Sequence, residues 1–197
     1  LSAFPVNLMD IRRNVELLLN EIGRYGFFDE YTTHSFLHVH EMLKLTEWII
    51  PAETKSLLTP ADCFILTLSI YFHDLGLLIT RDEFKKRDST GFKTWAEDHL
   101  FNEPEGEDYR SRVAELPAED RDRFLFQEYV RFHHGTRVKS WLEGRIKHGN
   151  SSDDAVISEI QKLIAPLGII LKRDIAKICE SHNLDDIDNT NKYGLSQ

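Results

Sequence analysis

Apolar side chains recur every three or four positions along most of the chain, a spacing that places them on one face of an α-helix. In residues 7–26, for example, they stand at Leu8, Ile11, Val15 and Leu18. The same spacing predicts further helices over residues 34–50, 59–78, 116–135, 136–149, 151–168 and 169–183. No segment shows the sustained alternation of apolar and polar residues that is typical of a half-buried strand. The pattern therefore predicts an all-α fold, a single multi-helix bundle over residues 1–197.

Local signals place the ends of several helices. Thr59 is predicted to cap a helix whose first turn holds Pro60 and Asp62, and the apolar run that follows extends this helix to about Leu78. Gly135 is predicted to end the helix before it, because glycine commonly follows the last helical residue.

Residues 81–116 differ from the rest of the chain because they are mostly polar. We predict an excursion with short helices over one end of the bundle. Trp95 and Phe101 are its expected apolar anchors.

Composition and charge narrow the classes of function. The chain has 197 residues, 41% of them hydrophobic, and a formal net charge of −9. General nucleic-acid binding is not favoured, because it depends on Lys and Arg side chains that neutralise phosphates. Cys63 and Cys179 give no disulfide framework and fit a reducing compartment, so we expect a cytoplasmic protein. The apolar run 63–79 is slightly short for a membrane span and contains an ionisable pair, so no membrane association is predicted.

That run, CFILTLSIYFHDLGLLI, carries His73 and Asp74 side by side near its middle. A buried ionised carboxylate is costly unless it is paired, neutralised or bound to a metal. In one interpretation His73 donates to a backbone carbonyl of the core and Asp74 pairs with an arginine of another helix. In the other, both side chains bend toward one ion held beside the helix.

The distribution of the chain's nine histidines favours the second interpretation. His34 and His38 lie four residues apart, on one face of a helix. His133 and His134 stand together near the predicted end of another helix, and His182 ends the last one. Imidazole and carboxylate groups together suit Zn²⁺, Mn²⁺, Fe or Ni and admit Mg²⁺ less readily.

The order of these motifs resembles that of the HD superfamily of metal-dependent phosphohydrolases. The resemblance covers most of the chain: His38, the pair His73-Asp74 in YFHDLGLL, and the segment RFHHGTRV. The opening YTTHSFLHVHEMLKL, with its Thr-x-His-x-x-x-His pattern, and the late Cys-Glu of ICESHN resemble a bacterial subgroup named HD-CE. Domains of this subgroup are frequently followed by further regions, including GHKL-type ATPase modules.

The resemblance implies roles for particular residues in an HD-type bundle. It makes His38, His73 and Asp74 metal ligands, with Asp74 also catalytic. His133 and His134 resemble the additional histidines that hold a second ion in two-metal members. His134 is alternatively a general acid or a contact to phosphate.

Cationic residues follow the same motif. Arg131, His134 and Arg137 match the family pattern Arg-x-x-His-x-x-Arg, and the resemblance makes Arg137 a catalytic contact to phosphate. Lys139 is a second candidate, and solvated surface charge is the alternative interpretation for both. The residues expected to contact substrate or to lie behind the ligands are His34, Arg131, Lys139, Glu180 and His182.

One part of the family pattern is not matched. HD domains complete the metal site with a late Asp on a C-terminal helix, and in the HD-CE subgroup that residue follows a further helix. Asp185, Asp186 and Asp188 lie near the expected region but in a loop-like segment, so none is assigned. We expect the sequence to be an N-terminal or internal fragment of a longer protein that lacks the helix with the closing Asp.

The resemblance implies a metal-dependent phosphohydrolase that uses one or two divalent ions (Zn, Mn, Fe, Ni or Mg) and acts on a nucleotide or another phosphate ester. The first alternative is a nucleotide-sensing domain with little turnover that regulates an ATPase region in the same polypeptide. The second is a single-strand nuclease, as in HD domains attached to CRISPR helicases, against which the acidic charge argues. The third is a helical scaffold with a degenerate site.

Overall fold

The described parts of the computed structural model are residues 4–22, 27–28, 36–102, 106–144 and 152–184. Within these ranges the chain forms ten α-helices and no strand, which confirms the predicted all-α fold. The helices are α1 (Leu8–Leu19), α2 (Phe36–Ile49), α3 (Ala52–Leu57), α4 (Pro60–Phe72), α5 (Arg81–Lys85), α6 (Phe92–Phe101), α7 (Gly106–Glu115), α8 (Ala118–Leu142), α9 (Ser152–Ile164) and α10 (Ile169–Ser181). Two short 3-10 helices cover His73–Leu77, named the HD turn below, and Arg87–Ser89.

Helix α4 begins as its sequence predicts. The Thr59 side chain accepts a hydrogen bond from the Asp62 N–H, and the Asp62 carboxylate accepts one from the Thr59 N–H, at 2.8 Å. This reciprocal arrangement satisfies N–H groups that a helix start leaves without partners. The helical run reaches Leu77, close to the predicted end near Leu78, but the prediction of one continuous α-helix is wrong, because the α-helix stops at Phe72 and the chain tightens into the HD turn.

The HD turn lies between two hydrophobic clusters. Leu75 and Leu78 belong to a cluster built mainly from α1, α4, α8, α9 and α10. Leu77 and Ile79 belong to a second one with the aromatic rings of α6 and α8. Each fully buried Leu stabilises the fold by about 1.5–3 kcal/mol, so both clusters hold the turn in place.

The predicted helix end at Gly135 is also wrong, since α8 runs without interruption from Ala118 to Leu142. Gly135 serves the packing of α8 against α10 instead. A Cβ atom at this position would meet the Glu180 carbonyl oxygen and the Asn183 Cβ atom, both at 3.0 Å. The glycine therefore allows a close approach of two helices without ending either.

The excursion predicted over residues 81–116 contains short helices, as expected. Trp95 is half-buried and packs near the second cluster. Phe101 is 71% exposed, so its prediction as an anchor is wrong. Among the described helices, none is both long and apolar enough to cross a bilayer.

Candidate metal centre

Imidazole rings from four parts of the fold surround the carboxylate of Asp74. Oδ2 of Asp74 lies 3.2 Å from Nε2 of His73, in the HD turn, and 3.8 Å from Nε2 of His38, on α2. Oδ1 lies 3.9 Å from Nε2 of His134, on α8. The ring of His182, directly after α10, has its centroid 4.6 Å from that of His134 and 5.1 Å from that of His73. The predicted convergence of His38, His73 and Asp74 is thus present.

Most of this cluster is buried, but it has an open side. The side chains of Asp74, His73 and His134 are 8%, 10% and 12% exposed, whereas that of His38 is 45% exposed. A buried carboxylate needs compensating positive charge or hydrogen bonds. Solvent therefore reaches the cluster at His38.

Backbone carbonyls orient three of the rings in the same way. Nδ1 of His73 donates to the Ile70 carbonyl at 2.8 Å, and Nδ1 of His134 donates to the Arg131 carbonyl at 2.6 Å. Nδ1 of His182 donates to the carbonyl of residue 179 at 2.5 Å. A carbonyl only accepts, so each Nδ1 carries a proton and each neutral ring directs the Nε2 lone pair toward the cluster. This is the arrangement in which metal-binding histidines are commonly held.

The rings of His134 and His182 lie so close together that a cation between them is favoured. Their Nε2 atoms lie 2.6 Å apart. If both rings are neutral, two lone pairs face each other at this distance and repel. A proton or a metal ion between the two nitrogens removes that repulsion.

Among the described residues, the donor atoms fall into two overlapping groups, each with ligand atoms within 4.8 Å of one another. One group is His38, His73 and Asp74; the other is Asp74, His134 and His182. Their imidazole and carboxylate groups fit Zn²⁺, Mn²⁺, Fe or Ni. Because Asp74 is shared and has two oxygens, the residues could hold one ion or two.

The pKa directions agree with a site in which a cation competes with protons. Burial lowers the pKa of His73, but the hydrogen bond and charge of Asp74 together with the Ile70 carbonyl outweigh it, and the pKa is raised. Partial burial and the nearby rings of His134 and His73 lower the pKa of His182 to about 4. At neutral pH the His182 ring is therefore mostly neutral, and its Nε2 lone pair faces Nε2 of His134.

The thiol of Cys179 lies near Asp74 in the core. Cys179 is fully buried, and its Sγ donates to the Ser69 carbonyl at 3.5 Å. Burial and the charge of Asp74 raise the pKa of its thiol. The neutral thiol thus acts as a small apolar group beneath Asp74.

Because Gly76 has no side chain, the HD turn can pack directly against α8. A Cβ atom at residue 76 would lie 2.0 Å from the His134 carbonyl oxygen, so only glycine fits there. This close contact sets the separation of Asp74 and His134. The local sequence does not predict this role, because the role depends on His134, 58 positions further along the chain.

His133 lies apart from the groups of donor atoms. Its Nδ1 donates to the Tyr129 carbonyl at 2.8 Å, and its ring contacts those of Tyr129 and Trp95. Burial lowers its pKa. The structure does not bring His133 together with Asp74, so its predicted role as a ligand has no support in the geometry.

The cationic side chains that the sequence singled out on either side of His134 each pair with a carboxylate. Arg131 contacts the buried carboxylate of Glu128 at 2.8 Å, and Tyr109 donates to the same carboxylate at 3.0 Å. Lys139 forms an ion pair with Glu180, which links α8 to α10. Glu180 therefore lies beside the centre and not among its ligands.

Arg137 is held by Glu83 and by the carbonyl groups of Gly76, in the HD turn, and of Leu78, directly after it. Glu83 was not predicted, and its position in the polar segment 81–116 gave no signal of a partner. His34 and the three aspartates Asp185, Asp186 and Asp188 lie outside the described residues.

Comparison with known proteins agrees with this arrangement. The sequence model of the HD-CE family matches residues 28–196, which is most of the chain. No curated protein and no solved structure matches it. The chain therefore belongs to the HD-CE family.

Proposed function

We propose that this domain is a metal-dependent phosphohydrolase acting on a nucleotide or another small phosphate ester. One observation carries the proposal: the Nε2 atoms of His38, His73 and His134 face one buried carboxylate, that of Asp74. When bound, a divalent ion supplies Lewis acidity and lowers the pKa of a coordinated water toward neutrality.

The protein's own residues would do the rest. Asp74 offers one oxygen to each group of histidines and offsets the charge of the ion or ions. The carbonyl groups behind His73, His134 and His182 keep their Nε2 atoms directed inward. The exposed edge of His38 leaves the centre open for substrate on that side.

Two histidines of α2 provide a matched test. His38 and His40 are both exposed and lie two residues apart, but only His38 faces Asp74. The protein would be freed of metal, reloaded with Mn, Zn, Fe, Ni or Mg, and assayed on p-nitrophenyl phosphate, bis-p-nitrophenyl phosphate and common nucleotides.

We expect hydrolysis by the wild type with at least one metal. His38→Asn and Asp74→Asn should lose at least about tenfold in activity, and His40→Asn should keep it. A fully metal-loaded wild type that hydrolyses none of these substrates would contradict the proposal.

A nucleotide-sensing role is the second candidate, and one observation favours it. Arg137 and Lys139, the cations predicted to bind phosphate, both pair with carboxylates of the same chain, so their charge is less available to stabilise the negative charge that develops on phosphate during hydrolysis. Nucleotide binding without turnover in the metal-loaded protein would identify this role. The nuclease activity, the cytoplasmic location and an ATPase region in the same polypeptide stay predictions.

A further inference from the structure

The side chain of Arg137 connects α8 to the backbone of the HD turn. Its Nε donates to the Gly76 carbonyl at 2.7 Å, and its Nη2 donates to the Leu78 carbonyl at 2.8 Å. Carbonyl groups at the end of a helix have no partner within it and need another donor. The planar guanidinium group presents several donors in fixed directions, so one side chain can bind both carbonyls.

Glu83 compensates the charge of this buried guanidinium group. Its carboxylate accepts from both terminal nitrogens of Arg137, with Nη2 to Oε2 at 3.2 Å. The two side chains are only 15% and 16% exposed. The ring of Trp141 lies 5.2 Å from the guanidinium carbon and covers one of its faces. Four hydrogen bonds to protein groups thus occupy the side chain.

The position of Arg137 along α8 links it to the metal centre. It lies three residues after His134, about one helical turn. Through Arg137, the helix that carries His134 therefore also forms hydrogen bonds to the segment that carries Asp74. Loss of these hydrogen bonds would change the separation of 3.9 Å between Nε2 of His134 and Oδ1 of Asp74.

We propose that Arg137 is a positioning residue that fixes the HD turn against α8, and not a contact to phosphate. The inference deepens the proposed function, since the turn that it fixes carries two ligands of the proposed metal centre. Glu83 is its necessary partner, because a buried unpaired guanidinium group would be costly.

Hydrogen exchange of the metal-free protein tests the inference independently of any activity. Arg137→Gln removes the donors to the Gly76 and Leu78 carbonyls. Arg137→Lys keeps the charge but not the planar group with several donors in fixed directions. We expect the amides of residues 73–79 to exchange at least about tenfold faster in both variants, with the helical circular dichroism retained. Arg87→Gln is the matched control, because Arg87 also binds a carboxylate, Asp122, and a backbone carbonyl but does not contact the HD turn.

The double variant Glu83→Gln/Arg137→Gln distinguishes the effect of the hydrogen bonds to the carbonyls from that of the ion pair with Glu83. Both side chains are then neutral, so a loss of exchange protection at residues 73–79 that persists is due to the missing donors to the carbonyls. Protection of residues 73–79 that is restored in the double variant, or unchanged in Arg137→Gln relative to Arg87→Gln, would overturn the inference.

Titration with Mn²⁺ and Zn²⁺ gives the second readout. We expect Arg137→Gln to bind metal about 10- to 100-fold more weakly than the wild type, the usual effect of removing a group that orients ligands. Unchanged metal affinity with lost competition by inorganic phosphate would show a phosphate contact and overturn the inference. If the wild type binds no metal, the proposed function fails, while the exchange of residues 73–79 still decides the role of Arg137.

Discussion

The Nε2 atoms of His134 and His182 lie 2.6 Å apart, although the two residues are 48 positions apart in the chain. Each ring uses its Nδ1 proton on a backbone carbonyl, so both lone pairs face the same point. The contact joins α8 to the end of α10 next to Asp74. It indicates a place for a cation near Oδ1 of Asp74, whereas His38 and His73 lie near Oδ2.

His182→Ala should therefore weaken metal binding. Removing one nitrogen ligand is expected to lower the affinity by at least about tenfold or to reduce the number of bound ions from two to one. Isothermal titration with Mn²⁺ and elemental analysis measure the two effects. His99→Ala is a suitable control, because His99 packs on Trp95 and belongs to neither group of donor atoms. Unchanged affinity and stoichiometry in His182→Ala would exclude it as a ligand.

Gly76→Ala should disrupt the metal centre and destabilise the fold. A Cβ atom 2.0 Å from the His134 carbonyl oxygen forces the HD turn away from α8, and overpacking of this kind costs about 1–3 kcal/mol or more. Urea unfolding measures the free energy, and metal titration measures the centre. Gly168→Ala is the matched control, since a Cβ atom there meets nothing within 4 Å and its φ of −62° suits any residue. Equal stability of the two variants would contradict the close contact.

The two cysteines should differ sharply in reactivity. Cys63 is exposed, whereas Cys179 is buried with a raised thiol pKa, so little of its reactive thiolate form is present at neutral pH. We expect a disulfide reagent at pH 8 to modify one thiol in the folded protein and both after denaturation. Cys63→Ser should then show no fast reaction. Rapid modification of the folded Cys63→Ser variant would contradict the buried position of Cys179.

Tyr109→Phe should destabilise the contact between α7 and α8. The Tyr109 hydroxyl donates to Glu128, whose residue surface is only 2% exposed, so the change removes a hydrogen bond to a buried carboxylate. The expected loss is about 1.5–3 kcal/mol in the free energy of unfolding, the range for hydrogen bonds to charged groups. Denaturant unfolding of both proteins checks it, and a loss near zero would show that Arg131 alone satisfies Glu128.

The parts of the fold that depend on local sequence could be predicted. The three- to four-residue apolar spacing identified the helices, and the Thr59–Asp62 pair marked the start of α4. The pairing of His73 with Asp74 in an apolar run pointed to their burial. Gly135 misled because a glycine that ends a helix and one that admits a neighbouring helix look the same in one sequence.

The parts of the site that depend on distant contacts could not be predicted. His182 reaches Asp74 only because α10 packs against α8, and no local signal separates that role from a helix end. The sequence suggested that Arg137 contacts phosphate, but in the structure it binds Glu83 and the Gly76 carbonyl. Charged residues in a sequence show what they can bind, but the fold decides which partner lies near.

Metal binding by the wild type and by Asp74→Asn is the most direct test of the account. Both proteins would be freed of metal and titrated with Co²⁺ or Mn²⁺, with bound metal measured by elemental analysis and folding checked by circular dichroism. The account predicts one or two bound ions per chain in the wild type. It predicts affinity at least about 10- to 100-fold weaker in Asp74→Asn, which loses the charge shared by all four histidines. Equal metal content and affinity in the two folded proteins would contradict the central role of Asp74.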